Sequence, residues 1–282
     1  MNESPCEPAR RDLGSIAMIH GFQVQSYGQR LSPGVKRGLR RLAERDFLDP
    51  ACVVVKTASG NRSGVTHAGG RYVPPEHLEC AKLMREMRNL GIEPPPPPFV
   101  VAPGEFILYH EWGHHVDRTW SGADLDVRFS FRWFSQFYRL GVRHSHIGQP
   151  GRRSHTDEGD LRPIASHSDA ANAVLGWWLA SSELFANLFE DWMRGNKRVA
   201  WDECEPEGLT RYVPGADCSV RIALLPEARV EEVRVETQRL FTSGIRRAVD
   251  LPPVHPGLFG KDTDEIVERL RIVRSQFRTE PQ

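Results

Sequence analysis

Short apolar runs alternate with amphipathic segments along the first hundred residues. Residues 16–24 and 52–55 are rich in β-branched and other apolar side chains, which predicts two strands. Between them, residues 33–47 repeat apolar side chains at helical spacing. Residues 75–90 do the same before Gly91, a residue type that commonly follows the end of a helix. The pattern predicts a β-α-β opening followed by a second helix.

Longer helical segments dominate the second half of the chain. The pattern predicts a strand at 99–102, helices at 104–118, 127–138 and 171–193, and a last helix that starts near Asp262. Residues 141–167 are polar and rich in Gly, His and Arg, which is typical of a loop. Together these elements favour an α+β fold.

Chain length favours one large domain with an appendage, because 282 residues are enough to bury a full core. We assign residues 1–200 to the main domain and residues 201–282 to a C-terminal extension, whose role the sequence does not indicate. Five consecutive prolines at 94–98 favour an extended polyproline II conformation. They can dock an SH3-like partner or serve as a stiff connector inside the domain, and we favour the connector.

Composition narrows the classes of partner. The 37 basic and 37 acidic side chains cancel, so charge gives no reason to expect a nucleic acid or an anionic membrane as partner. One basic cluster, formed by Arg37, Arg40, Arg41 and Arg45, is interrupted by acidic residues. We interpret it as the solvent-exposed face of an amphipathic helix.

Cysteine usage and the first residues bear on the compartment. The five cysteines are an odd number without a Cys-x-x-Cys pair, which favours a reducing environment. The N-terminal residues lack the basic start and apolar stretch of a secretory signal. No window approaches the roughly 18 apolar residues of a membrane span. We therefore expect a cytoplasmic protein, and export by a route without a cleaved signal stays open as the alternative.

The segment His110-Glu111-Trp112-Gly113-His114 carries the clearest chemistry. Two histidines four apart on a helix share one face about 6 Å apart, so their imidazoles can converge on one metal ion. Zinc accepts such nitrogen ligands at about 2.0–2.1 Å. Glu111 projects about 100° around the helix from His110, a position that suits a general base beside the zinc better than a ligand. Gly113 leaves room for another element to approach closely.

A third protein ligand is required, and Glu183 is the first candidate. A metzincin would have Gly and His three and six residues after His114, where this chain has Asp117 and Trp120. An acidic ligand from a second helix is the next possibility. Glu183 is such a residue. It lies within an apolar helical segment, where burying a carboxylate costs less free energy if it binds a cation. The rival third ligands are three histidines of the polar segment: His144, His146 and His155.

Two stretches resemble the lethal-factor-like gluzincin metallopeptidases, the type of the catalytic domain in anthrax toxin lethal factor. They are residues 110–117, which match a His-Glu-x-Gly-His-x-x-Asp pattern, and residues 183–189, which match Glu-x-Phe-Ala-x-x-Phe. The resemblance covers about residues 95–195. It implies a zincin fold, in which an active-site helix and a glutamate helix pack by a small mixed sheet. It also implies zinc on His110, His114 and Glu183, catalysis by Glu111, and peptide substrates lying along an edge strand.

The chain departs from this family's pattern in two places. The family has a tyrosine about two turns before the glutamate ligand, where this sequence has none. His167 can donate to the oxyanion instead, or it is a histidine exposed on a loop. Asn187 stands where an acidic residue is common, and its amide can still orient a ligand. Asp117 either fixes the tautomer of a zinc-bound imidazole or lies on the helix surface.

We therefore expect a zinc metallopeptidase with one Zn²⁺ per chain and Glu111 as general base. Its partner would be a peptide or protein substrate, with neither nucleic acid nor membrane involved. One alternative is a non-catalytic, zinc-binding structural or interaction module, which the missing tyrosine motivates. The other is a protein-interaction factor that uses residues 94–98 as its ligand.

Overall fold

The computed structural model of the protein describes the backbone and side chains of residues 16–27, 30–55, 70–123, 127–137, 181–182, 184–195, 232–255 and 268, and the backbone of residues 143–146, 209–211, 221–224 and 227–231. The chain forms two compact units, one from Met1 to Leu108 and the other from Tyr109 to Gln282. Helices and strands occur in both units, so the predicted α+β class is confirmed. Among the described helices, none has the length and apolar character needed to cross a membrane.

The N-terminal unit contains a five-stranded mixed sheet. Its strands are β1 (Ala17–Ile19), β2 (Phe22–Gln25), β3 (Cys52–Val54), β4 (Arg71–Val73) and β5 (Phe99–Val101), in the order β1-β2-β3-β5-β4. Strands β2, β3 and β5 run parallel, whereas β1 and β4 are antiparallel to their neighbours and form the edges of this described sheet. The strands predicted at 52–55 and 99–102 are confirmed.

The single strand predicted at residues 16–24 is wrong, because a two-residue turn divides it into β1 and β2. The turn residues are His20, with φ 51°, and Gly21, with φ 90°. Positive φ at both central residues is the geometry of a type I′ hairpin turn, which matches the twist of antiparallel strands. The local signal was the His-Gly pair inside an apolar run, and β1 folds back on β2 as a result.

The predicted helix at 33–47 is confirmed as α1 (Pro33–Glu44). It begins after Ser32, whose hydroxyl accepts a hydrogen bond from the backbone N–H of Val35 at 3.2 Å. It ends three residues early because Asp46 takes a left-handed backbone with φ 62°. Since α1 joins the parallel strands β2 and β3, the β-α-β opening is also confirmed.

The second predicted helix is α2 (Leu78–Asn89), and it packs on one face of the sheet. It starts three residues later than predicted. The preceding residue, His77, caps the helix, because its side chain accepts a hydrogen bond from the backbone N–H of Glu79. Its apolar face and alternate strand positions form a buried cluster of Cys52, Val54, Val73, Cys80, Leu83, Met87 and Phe99. Pro94 and Pro95 are buried, which supports the connector over an exposed docking segment.

The second unit holds most of α3 (Glu105–Ser121), which starts four residues before the division between the units. It also contains α4 (Phe129–Ser135), α6 (Glu227–Thr242) and a 3₁₀ turn (Ala248–Asp250). The helical residues 181–182 and 184–193 are called α5. The helix predicted at 104–118 is confirmed, and the one predicted at 127–138 is confirmed over residues 129–135. Residues 138, 171–180 and the start near Asp262 lie outside the described residues.

A second sheet has the order β6-β8-β7, with β6 (Arg143–His146), β7 (Leu209–Arg211) and β8 (Arg221–Leu224), all antiparallel. The loop predicted at 141–167 is therefore wrong at residues 143–146. Pairing with β8, more than seventy residues later in the chain, overrides a composition that favours a loop.

Part of the C-terminal region packs against the helices that carry the candidate chemistry. The ring of Phe241 on α6 lies 6.5 Å from Trp120 of α3 and 5.2 Å from Phe185 of α5, between ring centroids. On the same helix, Arg234 and Gln238 donate to Oδ2 of buried Asp191 at 3.4 and 3.2 Å. One face of α6 thus packs against α3 and α5 through Phe241, Arg234 and Gln238.

The basic cluster on α1 has an acidic partner within the N-terminal unit. Arg37 donates to Oε2 of Glu105 at 3.2 and 3.0 Å, and Arg41 donates to Oε1 at 3.3 Å. Glu105 is the first residue of α3, where a carboxylate also interacts favourably with the helix dipole. These pairs support the interpretation of the cluster as a helix face rather than a polyanion site.

Candidate metal centre

The two candidate histidine ligands lie one turn apart on α3. The ring centroids of His110 and His114 are 4.9 Å apart and the rings meet edge to face. The side chain of His110 is 21% exposed, whereas His114 and Glu111 are buried. The pair therefore presents two imidazoles on one helix face, with the carboxylate of Glu111 on the adjacent residue, as the spacing predicts.

Helix α5 lies directly against this face. Three pairs link the two helices: His114 with Ser182, Gly113 with Ala186, and His110 with Glu190. Because the residue numbers rise along α5 as they fall along α3, the helices are antiparallel. The α5 residues follow the i, i+4, i+8 spacing of a single helix face.

Gly113 permits the closest part of this approach. A β-carbon at residue 113 would stand 2.7 Å from Cα and 3.1 Å from the carbonyl oxygen of Ala186. Both are backbone atoms, which cannot rotate away as a side chain can. The prediction that Gly113 admits another element is confirmed, and the element is α5.

The Nδ1 atom of His114 lies 3.1 Å from the hydroxyl oxygen of Ser182. The same oxygen accepts a hydrogen bond at 3.0 Å from NH1 of Arg128, the residue that precedes α4. All three residues are buried. Ser182 therefore contacts one candidate ligand from the position directly before Glu183.

The Nδ1 atom of His110 faces the other end of the same α5 surface. It lies 4.0 Å from Oε2 of Glu190, whose other oxygen accepts a hydrogen bond from Arg194 at 3.1 Å. This distance is longer than a hydrogen bond, so Glu190 places a carboxylate near His110 without fixing the tautomer of the ring. Both histidines thus direct Nδ1 towards α5, and Nε2 is the nitrogen that each would offer a metal.

Asp117 is fully buried, so the helix-surface alternative for this residue is wrong. Its two carboxylate oxygens accept hydrogen bonds at 2.8 Å from the backbone N–H and the hydroxyl of Ser130. NH1 of Arg128 lies 4.0 Å from the same carboxylate. Burial raises the pKa of Asp117, while Arg128 and the Ser130 hydrogen bonds oppose that rise. Ser182, rather than Asp117, lies within hydrogen-bond distance of His114 Nδ1.

Several candidate residues lie outside the described residues: Glu183, His155 and His167. His144 and His146 fall in β6, where the backbone alone is described, with a register shift between them. Among the described residues, no three His, Cys, Asp or Glu side chains converge as a metal-binding group. The described part of the centre therefore consists of two histidines and the residues that contact them.

His115 has a separate environment from these two histidines. It is buried, and its ring lies 5.0 Å from that of Trp112 in an edge-to-face arrangement. That His115 takes no metal role stays a prediction. Asn187 is also buried, on the α5 segment that faces α3.

The residues present fit a zinc ion. Both imidazoles can offer Nε2, since the Nδ1 atom of each ring lies on the α5 side, at 3.1 Å from a hydroxyl in His114 and at 4.0 Å from a carboxylate in His110. Sequence reasoning missed Ser182, Glu190 and Arg128 as parts of this centre. The helical spacing of residues 182, 186 and 190 is the signal that could have indicated the first two.

Comparison of the chain with protein-family models, with curated proteins and with solved structures found no match.

Proposed function

We propose that the protein is a zinc-dependent peptidase of the gluzincin type with a zincin-like fold. The observation that carries the proposal is the pair of histidines one turn apart on α3, each with Nδ1 towards a polar group of α5. A hydrogen-bonded partner such as Ser182 fixes the ring orientation and tautomer of a zinc-bound histidine.

Glu183 completes the ligand set in this proposal. It lies three residues before Ala186 and seven before Glu190, which is the spacing of one helix face. Both of those residues lie against α3, at Gly113 and His110. A carboxylate from this position would balance part of the charge of a zinc ion bound by two neutral histidines.

The chemistry assigned to the chain is hydrolysis of a peptide bond. A zinc ion held by His110, His114 and Glu183 would polarise the scissile carbonyl and lower the pKa of the attacking water to about 7. Glu111 takes the proton of the attacking water and passes it to the leaving amine. His110 and His114 hold their positions through the α5 contacts. His167 remains the proposed donor to the oxyanion.

An extended peptide or protein segment is the proposed substrate class. The family resemblance implies this class, with the peptide lying extended along an edge strand through backbone hydrogen bonds.

The test compares wild-type protein with Glu111→Gln and with the control Glu44→Gln, an exposed glutamate on α1. We expect about one zinc per chain in all three by elemental analysis. Hydrolysis of a broad peptide mixture, followed by mass spectrometry, should fall about 10²–10⁴-fold in Glu111→Gln alone.

Each other result has a defined meaning. A wild-type chain that holds no zinc contradicts the whole proposal. Zinc at full occupancy without any hydrolysis favours the non-catalytic zinc module. Activity that survives in Glu111→Gln rejects Glu111 as the general base.

A further inference from the structure

We infer that Ser182 is a positioning residue for His114, an inference that rests on the proposed zinc site. Its hydroxyl oxygen lies 3.1 Å from Nδ1 of His114. A histidine that binds zinc through Nε2 carries its proton on Nδ1. Ser182 accepts that proton in a hydrogen bond, and this interaction fixes the tautomer and the orientation of the ring.

A buried guanidinium holds the Ser182 oxygen in place. NH1 of Arg128 donates to it at 3.0 Å, and a guanidinium can only donate. The serine oxygen has two lone pairs, so it can accept from Arg128 and from His114 together. Both side chains reach it from fixed positions, because Arg128, His114 and Ser182 are all buried.

The arrangement joins three helices at a single hydroxyl. Arg128 precedes α4, and its NH1 lies 4.0 Å from the carboxylate of Asp117 on α3. Asp117 in turn accepts two hydrogen bonds from Ser130 on α4. The Ser182 oxygen is therefore set by α3 and α4 as well as by its own helix, as a ligand-orienting acceptor requires.

The adjacent serine provides a matched comparison. Ser181 is as buried as Ser182 and belongs to the same helix, yet its hydroxyl has no hydrogen-bond partner among the described residues. Replacing either serine by alanine removes one buried oxygen from α5. Only the change at residue 182 removes the acceptor next to His114.

The experiment measures zinc affinity by competition with a chelator for wild type, Ser182→Ala and Ser181→Ala. We expect Ser182→Ala to bind zinc about 10–100-fold more weakly, the range for loss of a group that orients a ligand. Ser181→Ala should stay close to wild type. Thermal unfolding of the metal-free proteins confirms that each variant is folded.

A second readout separates positioning from packing. In zinc-loaded protein, the Nδ1 proton of His114 should give a protected imidazole NMR signal in wild type and in Ser181→Ala. In Ser182→Ala this signal should shift or exchange faster with water. A signal and an affinity that Ser182→Ala leaves unchanged, or that both variants alter equally, overturn the inference while the zinc proposal stands. A wild-type chain that binds no zinc overturns both.

Discussion

Gly113 of α3 and Ala186 of α5 approach so closely that a β-carbon at residue 113 would stand 2.7 Å from Cα of Ala186. This contact lies between the two other pairs that join the helices, one at His114 and one at His110. The distance between α3 and α5 at the candidate centre therefore depends on the absence of a side chain at residue 113.

Gly113→Ala should separate α3 from α5 and weaken the zinc site. The added methyl group meets backbone, so the helices must shift, at a cost of about 1–3 kcal/mol in the free energy of unfolding. Denaturant titration measures that cost, and chelator competition measures the accompanying loss of zinc affinity. Gly104→Ala is the control, because a β-carbon there would meet nothing within 4 Å.

A companion substitution sharpens this test. Ala186→Gly removes the β-carbon of Ala186 but keeps the Cα and carbonyl oxygen that lie nearest residue 113. The double variant Gly113→Ala/Ala186→Gly should therefore recover only part of the lost stability. Full recovery, or no loss in Gly113→Ala itself, would contradict the close backbone approach.

The local elements of the centre could be predicted from the sequence. The apolar lead-in and the His-x-x-x-His spacing predict α3 and the shared face of His110 and His114. Gly113 indicates a close approach because only glycine carries no β-carbon. These inferences depend on neighbours within a turn or two of the same helix.

The partners of the histidines could not be predicted in the same way. Whether Ser182 or another residue of α5 meets His114 depends on how far α5 is shifted along α3, which no local pattern encodes. Arg128 adds a second long-range step, since it reaches Ser182 from the position before a third helix, α4. The strand β6 was missed for a similar reason, because its pairing partner β8 is distant in the chain.

Cys52 gives the N-terminal unit a measurable pH dependence. Burial on β3 raises the pKa of its thiol from 9.0 to about 12, partly opposed by a hydrogen bond from the backbone of Gln25. Above pH 9 the unfolded chain loses this proton while the folded chain keeps it. The protonated thiol therefore contributes its full share to the free energy of unfolding below pH 9. This contribution is lost as the pH rises towards 12, by up to about 1.4 kcal/mol per pH unit.

Urea titrations at pH 8, 9 and 10 measure this slope in wild type and in Cys52→Val. Valine keeps a similar volume in the buried cluster and removes the titrating group. As the pH rises above 9, the free energy of unfolding of wild type should fall relative to that of Cys52→Val. A difference that stays constant from pH 8 to 10 contradicts the raised pKa of Cys52.

Substituting the proposed third zinc ligand is the sharpest remaining test of the candidate centre. If Glu183 binds zinc, Glu183→Gln removes the charge of a ligand while preserving the size of the side chain. Zinc affinity should then fall by more than the about 10–100-fold expected for loss of an orienting group. Glu190→Gln is the control, because it makes the same change on α5 at a carboxylate whose Oε2 lies 4.0 Å from Nδ1 of His110, too far for a hydrogen bond, and it should weaken zinc binding less than Glu183→Gln.

The rival ligands are tested in the same chelator competition. His144→Ala and His146→Ala change β6, and both should leave zinc affinity unchanged if the third ligand comes from α5. A large loss in either histidine variant, with wild-type affinity in Glu183→Gln, would assign the third ligand to β6. In that case the spacing of residues 183, 186 and 190 would reflect helix packing alone, and the gluzincin assignment would be wrong even though His110 and His114 still bound the metal.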